Sequence, residues 1–313
     1  MSAQENTNLL NTAYIFPGQG SQYVGMGKDW YDSDPKAREM FIRANEILGF
    51  DIAKICFEGP EDELRQTSVT QPAIFLHSAV AFTLIGSKKF DAAAGHSLGE
   101  YSALYAAGSL DFEHTLMLVG LRGRLMQNAG KVRPGTMAAV VGLDEKTVEE
   151  ACREASVNGV AQPANFNSPG QIVISGDVES VRKAMELARQ RGAKMVKELV
   201  VSGAFHSPLM EAAKDELKKA IDAAPVGDAS VPVYANVSAK PVRTVAEIKD
   251  ALIRQLTSPV RWQESVSNMS ADGIGTFVEI GPGKVLQGLV KRTISGGITA
   301  GIDRVNDVSA PAK

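Results

Sequence analysis

Gly95-His96-Ser97-Leu98-Gly99 is the stretch of this 313-residue chain with the clearest chemical content. A G-x-S-x-G run suits a serine on a sharp turn. Its glycines admit neighbouring backbone where a side chain would collide, and the hydroxyl is lifted clear of the sheet. The flanking residues agree with that geometry, since Asp91 to Gly95 reads as a short strand of small residues and Leu98 to Ala107 as a helix. Amides at the start of that helix would face negative charge developing on a substrate oxygen. Ser97 is therefore the candidate nucleophile.

A serine hydroxyl needs a base, and the four histidines His77, His96, His114 and His206 are the choices. His96 adjoins Ser97, and neighbouring side chains on a turn point in different directions. His77 lies in an apolar helix and His114 near the start of another, so both read as structural or surface residues. His206 occupies the turn Ser202-Gly203-Ala204-Phe205-His206-Ser207-Pro208 after an expected strand, a kind of place that catalytic residues favour. It is the candidate base. Arg122, in Leu118-Val119-Gly120-Leu121-Arg122-Gly123-Arg124-Leu125-Met126, sits among apolar residues at helical spacing. A guanidinium there has three possible fates: an internal salt bridge, a solvated position, or a two-bond grip on a substrate carboxylate.

The rest of the chain supplies a frame for these residues. Strands are expected at Thr12 to Phe16, Asp91 to Gly95, Val231 to Val233 and Thr276 to Ile280, alternating with helices such as Gln71 to Ile85. That order implies an α/β fold with a mainly parallel sheet covered on both faces. Between them, Met137 to Val141, Val160 to Phe166, Gln171 to Ile174 and Lys194 to Val201 read as strands, with helices at Glu145 to Glu154 and Val178 to Arg191. Their order, βαββαβ, is that of a ferredoxin-like unit. The division expected is a large α/β domain from residues 1–134 and 203–313, with a small inserted subdomain at 135–202. The tail from Asn306 is expected to fray.

Composition limits the function classes. A formal net charge of −3 and 22% charged residues speak against bulk nucleic-acid binding, and 44% hydrophobic residues suit a globular chain. Cys56 and Cys152 are too few and too far apart for a disulfide framework or a paired metal-ligand spacing, so both should be buried thiols. Met1 to Asn11 lacks a signal-peptide pattern and no long apolar run occurs, which leads to the expectation of a cytoplasmic protein without membrane contact; a monomer is the default. Gly18-Gln19-Gly20 fails the dinucleotide fingerprint because Tyr23 stands at its last position, and Gly281-Pro282-Gly283-Lys284 is not a P-loop. No cofactor and no metal are expected.

Five segments, taken together and in order, resemble the malonyl-CoA:acyl carrier protein transacylases of fatty acid synthesis over nearly the entire chain. They are Phe16-Pro17-Gly18-Gln19-Gly20-Ser21-Gln22, Gly95-His96-Ser97-Leu98-Gly99-Glu100-Tyr101, Arg122-Gly123-Arg124-Leu125-Met126-Gln127, Gly203-Ala204-Phe205-His206-Ser207 and Glu279-Ile280-Gly281-Pro282-Gly283. The resemblance implies a hydrolase-like α/β domain with the ferredoxin-like insertion. It implies malonyl transfer from malonyl-CoA to the phosphopantetheine thiol of acyl carrier protein, by a ping-pong route through a malonyl-serine. It assigns Ser97 as nucleophile, His206 as base and acid, and Arg122 as the clamp on the malonyl carboxylate. The amides of Leu98 and Gln19 become the oxyanion hole, the main-chain carbonyl of Gln255 orients the histidine, and Asn167 lies near the site. Phe205 is the bulky neighbour that tends to accompany malonyl over methylmalonyl units. A basic docking face for an acidic carrier protein would fall on Arg182, Lys183, Arg189, Arg191, Lys194 and Lys197. Two rival readings are a serine esterase or thioesterase, whose acceptor is water, and a non-catalytic carrier-binding relative.

Overall fold

The computed structural model describes residues 11–86 and 89–309. Among them are ten strands: β1 (Asn11–Phe16), β2 (Ala92–Gly95), β3 (Gly135–Val141), β4 (Ala161–Ser168), β5 (Gln171–Asp177), β6 (Met195–Glu198), β7 (Val233–Tyr234), β8 (Pro241–Val242), β9 (Ile274–Ile280) and β10 (Ile298–Ile302). The strand period of two explains how the first of them is used. Tyr14 and Phe16 face one core with Phe75 and Tyr101, while Ala13 and Ile15 face another with Trp262 and Phe277. A strand apolar on both faces must be covered on both, and helices do so.

Six strands form one sheet in the order β10-β9-β1-β2-β7-β8, parallel throughout except for the short antiparallel pair β7 and β8. The other four form an antiparallel sheet in the order β4-β5-β3-β6. This is the strand order of a ferredoxin-like unit, and the helices Glu145–Ala155 and Val178–Gln190 pack on it. The chain is thus mixed α/β, with a mainly parallel sheet and a separate antiparallel one. An edge of β4 also reaches outward: Phe166 N donates to Val260 O at 2.9 Å and Val260 N to Ala164 O at 2.8 Å. Those bonds tie the small sheet to the segment that follows Gln255.

Two expectations need correction. The strand drawn from Lys194 to Val201 stops at Glu198. Beyond the bond from Leu199 N to Met137 O the chain leaves the sheet edge, and Ser202 O comes so close to Gly130 that a Cβ there would meet it at 1.8 Å. Val200 is left 94% exposed, so an extended-looking apolar run has no partner to pair with. The tail expected to fray from Asn306 instead forms a 3₁₀ turn over Val305–Ser309, with Val305 N bonded to Asp29 Oδ2 at 3.0 Å. Met1 to Leu10 and 310–313 lie outside the described residues. No helix among the described residues is long and apolar enough to cross a membrane.

Candidate active site

Ser97 stands between β2 and the helix Gly99–Ala106 with φ of 53°, a left-handed conformation rare for a side chain larger than glycine's. The turn is possible because its glycines have no Cβ. One added to Gly95 would lie 1.9 Å from Gly99 C, and one on Gly99 would lie 2.1 Å from Phe16 O. The strained peptide is gripped at both ends. Asn236 Oδ1 accepts from Ser97 N at 2.7 Å, and Gln255 Nε2 donates to Ser97 O at 2.9 Å.

Ser97 Oγ lies 2.7 Å from His206 Nε2, and His206 Nδ1 lies 3.0 Å from Gln255 O. A carbonyl can only accept, so Nδ1 carries the proton and Nε2 is free to accept the serine's. His206 also has a left-handed φ, 55°. Gln162 Nε2 donates to its carbonyl at 3.0 Å. The imidazole is buried, and that burial, then the positive charge of Arg122, pushes its pKa down to about 3 against the Gln255 bond. It is neutral throughout the range in which a base is useful.

Arg122 projects from the helix Phe112–Val132 and is 1% exposed. Nη1 donates to Gln71 Oε1 at 2.8 Å; Nη2 donates to Gln255 Oε1 at 2.9 Å and to Ser97 Oγ at 3.1 Å. Its guanidinium lies 5.7 Å from the centre of the Tyr101 ring. Among the described residues no carboxylate is within salt-bridge reach of it, and its Nε has no acceptor. Neither the internal salt bridge nor the solvated position describes this arginine.

The remaining candidates surround a cleft of about 630 Å³ lined by Gln19, His96, Ser97, Asn167, Phe205 and His206, among others. Among the described residues the backbone amides of Gln19 and Leu98 have no acceptor. Asn167 Oδ1 lies 2.8 Å from His96 Nε2, and burial keeps the His96 imidazole below its ordinary pKa. Phe205 is buried at the cleft wall. The other two histidines lie elsewhere. His77 Nε2 is 3.1 Å from Asp303 Oδ1, and His114 bonds to Asp111 at a helix start.

Residues 13–309 match the acyl transferase domain family. The chain is 46% identical over 287 residues to the malonyl CoA-acyl carrier protein transacylase of Bacillus subtilis (strain 168), covering 91% of this chain and 90% of that one. The chain belongs to the malonyl CoA-acyl carrier protein transacylase family. Two solved structures of such transacylases align over almost their full length. The malonyl CoA-acyl carrier protein transacylase from Coxiella burnetii has a TM-score of 0.92 at 39% identity, covering 96% of each chain. A malonyl-transacylase in complex with its type II PKS acyl-carrier protein has a TM-score of 0.91 at 40% identity, covering 95% of this chain and 97% of that one. The protein is an acyltransferase.

Four residues around this transacylase site were not singled out by the sequence: Gln71, Glu100, Gln162 and Asn236. Glu100 offered a signal, being an acid in the otherwise apolar and small-residue helix Gly99–Ala106. Gln71 offered little, because it follows Thr67, Ser68 and Thr70 in the polar first turns of its helix. Asn236 and Gln162 offered none, because an amide's partners are set by distant parts of the chain. The basic stretch expected to receive a carrier protein is partly neutralised within the transacylase itself: Arg182 pairs with Glu198, Lys183 with Glu186 and Arg191 with Glu154.

Proposed function

We propose that the protein moves a malonyl group from malonyl-CoA to the phosphopantetheine thiol of acyl carrier protein, supplying fatty acid elongation, by a ping-pong route through an ester on Ser97. The observation that carries the reading is a convergence on one oxygen. Ser97 Oγ has His206 Nε2 at 2.7 Å and Arg122 Nη2 at 3.1 Å. A base for the hydroxyl and a buried cation for the acyl chain's far end therefore meet at the same atom.

In the loading half, the Ser97 proton passes to His206 Nε2 as Oγ attacks the thioester carbonyl. The carbonyl oxygen takes up the negative charge, and the acceptor-less amides of Gln19 and Leu98 are the donors available to it. Collapse breaks the carbon–sulfur bond; the leaving thiolate of coenzyme A takes the proton from His206. The carrier thiol then gives its proton to the same nitrogen and attacks the ester, and Ser97 leaves with that proton restored. Gln255 O keeps the imidazole in the required tautomer, so no carboxylate is needed behind it. Arg122 brings a positive charge whose bonding partners among the described residues are all neutral, and the malonyl carboxylate supplies the missing negative one. Phe205 at the wall narrows the space for the methyl of methylmalonyl units. The relative solved with its acyl-carrier protein supports the choice of acceptor.

Intact mass spectrometry after mixing with malonyl-CoA tests the reading. One malonyl group should add to the wild type and none to Ser97→Ala, and holo acyl carrier protein should then discharge it. An unmodified wild type, or an ester that yields only free malonate in the presence of the carrier, would refute it.

A further inference from the structure

Glu100 is a buried acid, 2% exposed, that the mechanism does not use. Among the described residues it has no cation within salt-bridge reach. Its Oε2 accepts instead from Asn236 N at 2.8 Å and from Gln255 Nε2 at 3.0 Å. Both donors belong to residues that touch the reacting groups.

The Gln255 amide is the more telling of the two. Its nitrogen faces three acceptors, Ser97 O, Glu100 Oε2 and, at 3.5 Å, Asn236 Oδ1, and its oxygen faces Arg122 Nη2. A reversed amide would set NH₂ against guanidinium and oxygen against three oxygens, donor to donor and acceptor to acceptor. Glu100 thus joins Ser97 O, Asn236 Oδ1 and Arg122 Nη2 in holding the amide the right way round. Its other bond anchors Asn236, whose side chain accepts from Ser97 N and donates to Gly95 O at 2.7 Å.

We infer that Glu100 is a positioning residue that aligns Arg122 through the Gln255 amide and the nucleophile turn through Asn236. The inference rests on the proposed reading of Arg122 as the carboxylate partner. What matters is an acceptor at the Oε2 position, not a full negative charge. Burial, opposed by these hydrogen bonds and by Arg122, raises the carboxyl to about 7, and in either protonation state one oxygen can still accept.

The test compares acylation of Ser97 by malonyl-CoA and by acetyl-CoA, each over a range of concentrations, in wild type, Glu100→Gln, Glu100→Leu and Arg122→Ala. Glu100→Leu should lose malonyl preference over acetyl by about tenfold or more, the worth of a hydrogen bond to a charged group. Glu100→Gln, whose amide oxygen can accept both bonds, should restore most of it. A folded Glu100→Leu with wild-type preference overturns the inference, as does a Glu100→Gln as damaged as the leucine variant. Should Glu100→Leu fail to fold, Gln255→Met keeps the carbonyl against His206 and removes only the amide. It should show the same fall, and an unchanged preference there is equally fatal. Arg122→Ala separates the two levels: if it leaves the preference unmoved, the proposed function fails, whereas a shift there without one in the Glu100 series condemns this inference alone.

Discussion

At Ser97 and His206 two left-handed residues share one hydrogen bond, and Arg122 stands beside both with its charge unmatched, among the described residues, by any carboxylate in reach. Removing that charge has two separate consequences. Arg122→Ala should lower malonyl loading relative to acetyl by ~2 to 5 kcal/mol, roughly 30-fold or more, because truncating one member of a desolvated pair leaves the other unpaired. Competition between the two thioesters, read by mass, measures it; an unchanged product ratio would remove Arg122 from substrate recognition. The second consequence is on the imidazole. Burial is the larger cause of its depressed pKa and stays in place, but the Arg122 contribution disappears, so His206 should titrate at higher pH in the variant. Histidine NMR resonances followed against pH report this directly, and a shift downward or none would contradict the assigned cause.

At the scale of elements, the Ser97 turn holds its shape because β1, β2 and the helix Gly99–Ala106 press together with glycine at the contact. Gly99→Ala puts a methyl 2.1 Å from Phe16 O and 2.9 Å from Pro17 O, backbone atoms at the end of β1 and just beyond it on the way to Gln19. No flexible side chain is there to give way. The variant should lose ~1 to 3 kcal/mol of stability, the usual range for overpacking, and its acylation rate should fall as the Gln19 amide is displaced. Thermal melts and acylation kinetics on one preparation decide the point, and wild-type values in both would show that the contact is slack. This turn was legible in the sequence because its chemistry is contiguous, five residues long and flanked by a strand and a helix. The small sheet was legible through its period. The amide scaffold was not, since Asn236 meets Ser97 across 139 positions and Gln255 across 158. The overrun of β6 came from reading β propensity where, among the described residues, there is no partner strand.

Over the whole molecule, burial of ionisable groups at the site sets opposing slopes of stability against pH. His206 has a folded pKa of about 3, below its ordinary 6.5. The unfolded chain therefore binds the extra proton between those values, and stability is lost as pH falls below 6.5. Glu100 runs the other way, with a folded pKa of about 7 above an ordinary 4.5. Here the folded chain holds the extra proton, so the group's contribution is fully present below 4.5 and is lost as pH rises through 7. At one pKa unit per 1.36 kcal/mol that loss is on the order of 3 kcal/mol. Glutamine cannot ionise, so Glu100→Gln removes this slope and leaves the histidine slope untouched. The melting temperature of Glu100→Gln relative to wild type should therefore rise between pH 4.5 and pH 8, whatever its offset at the acidic end. A difference that stays flat across that interval would mean that Glu100 is as easily ionised in the folded protein as in the unfolded chain. The carboxyl would then keep its charge despite the burial that surrounds it.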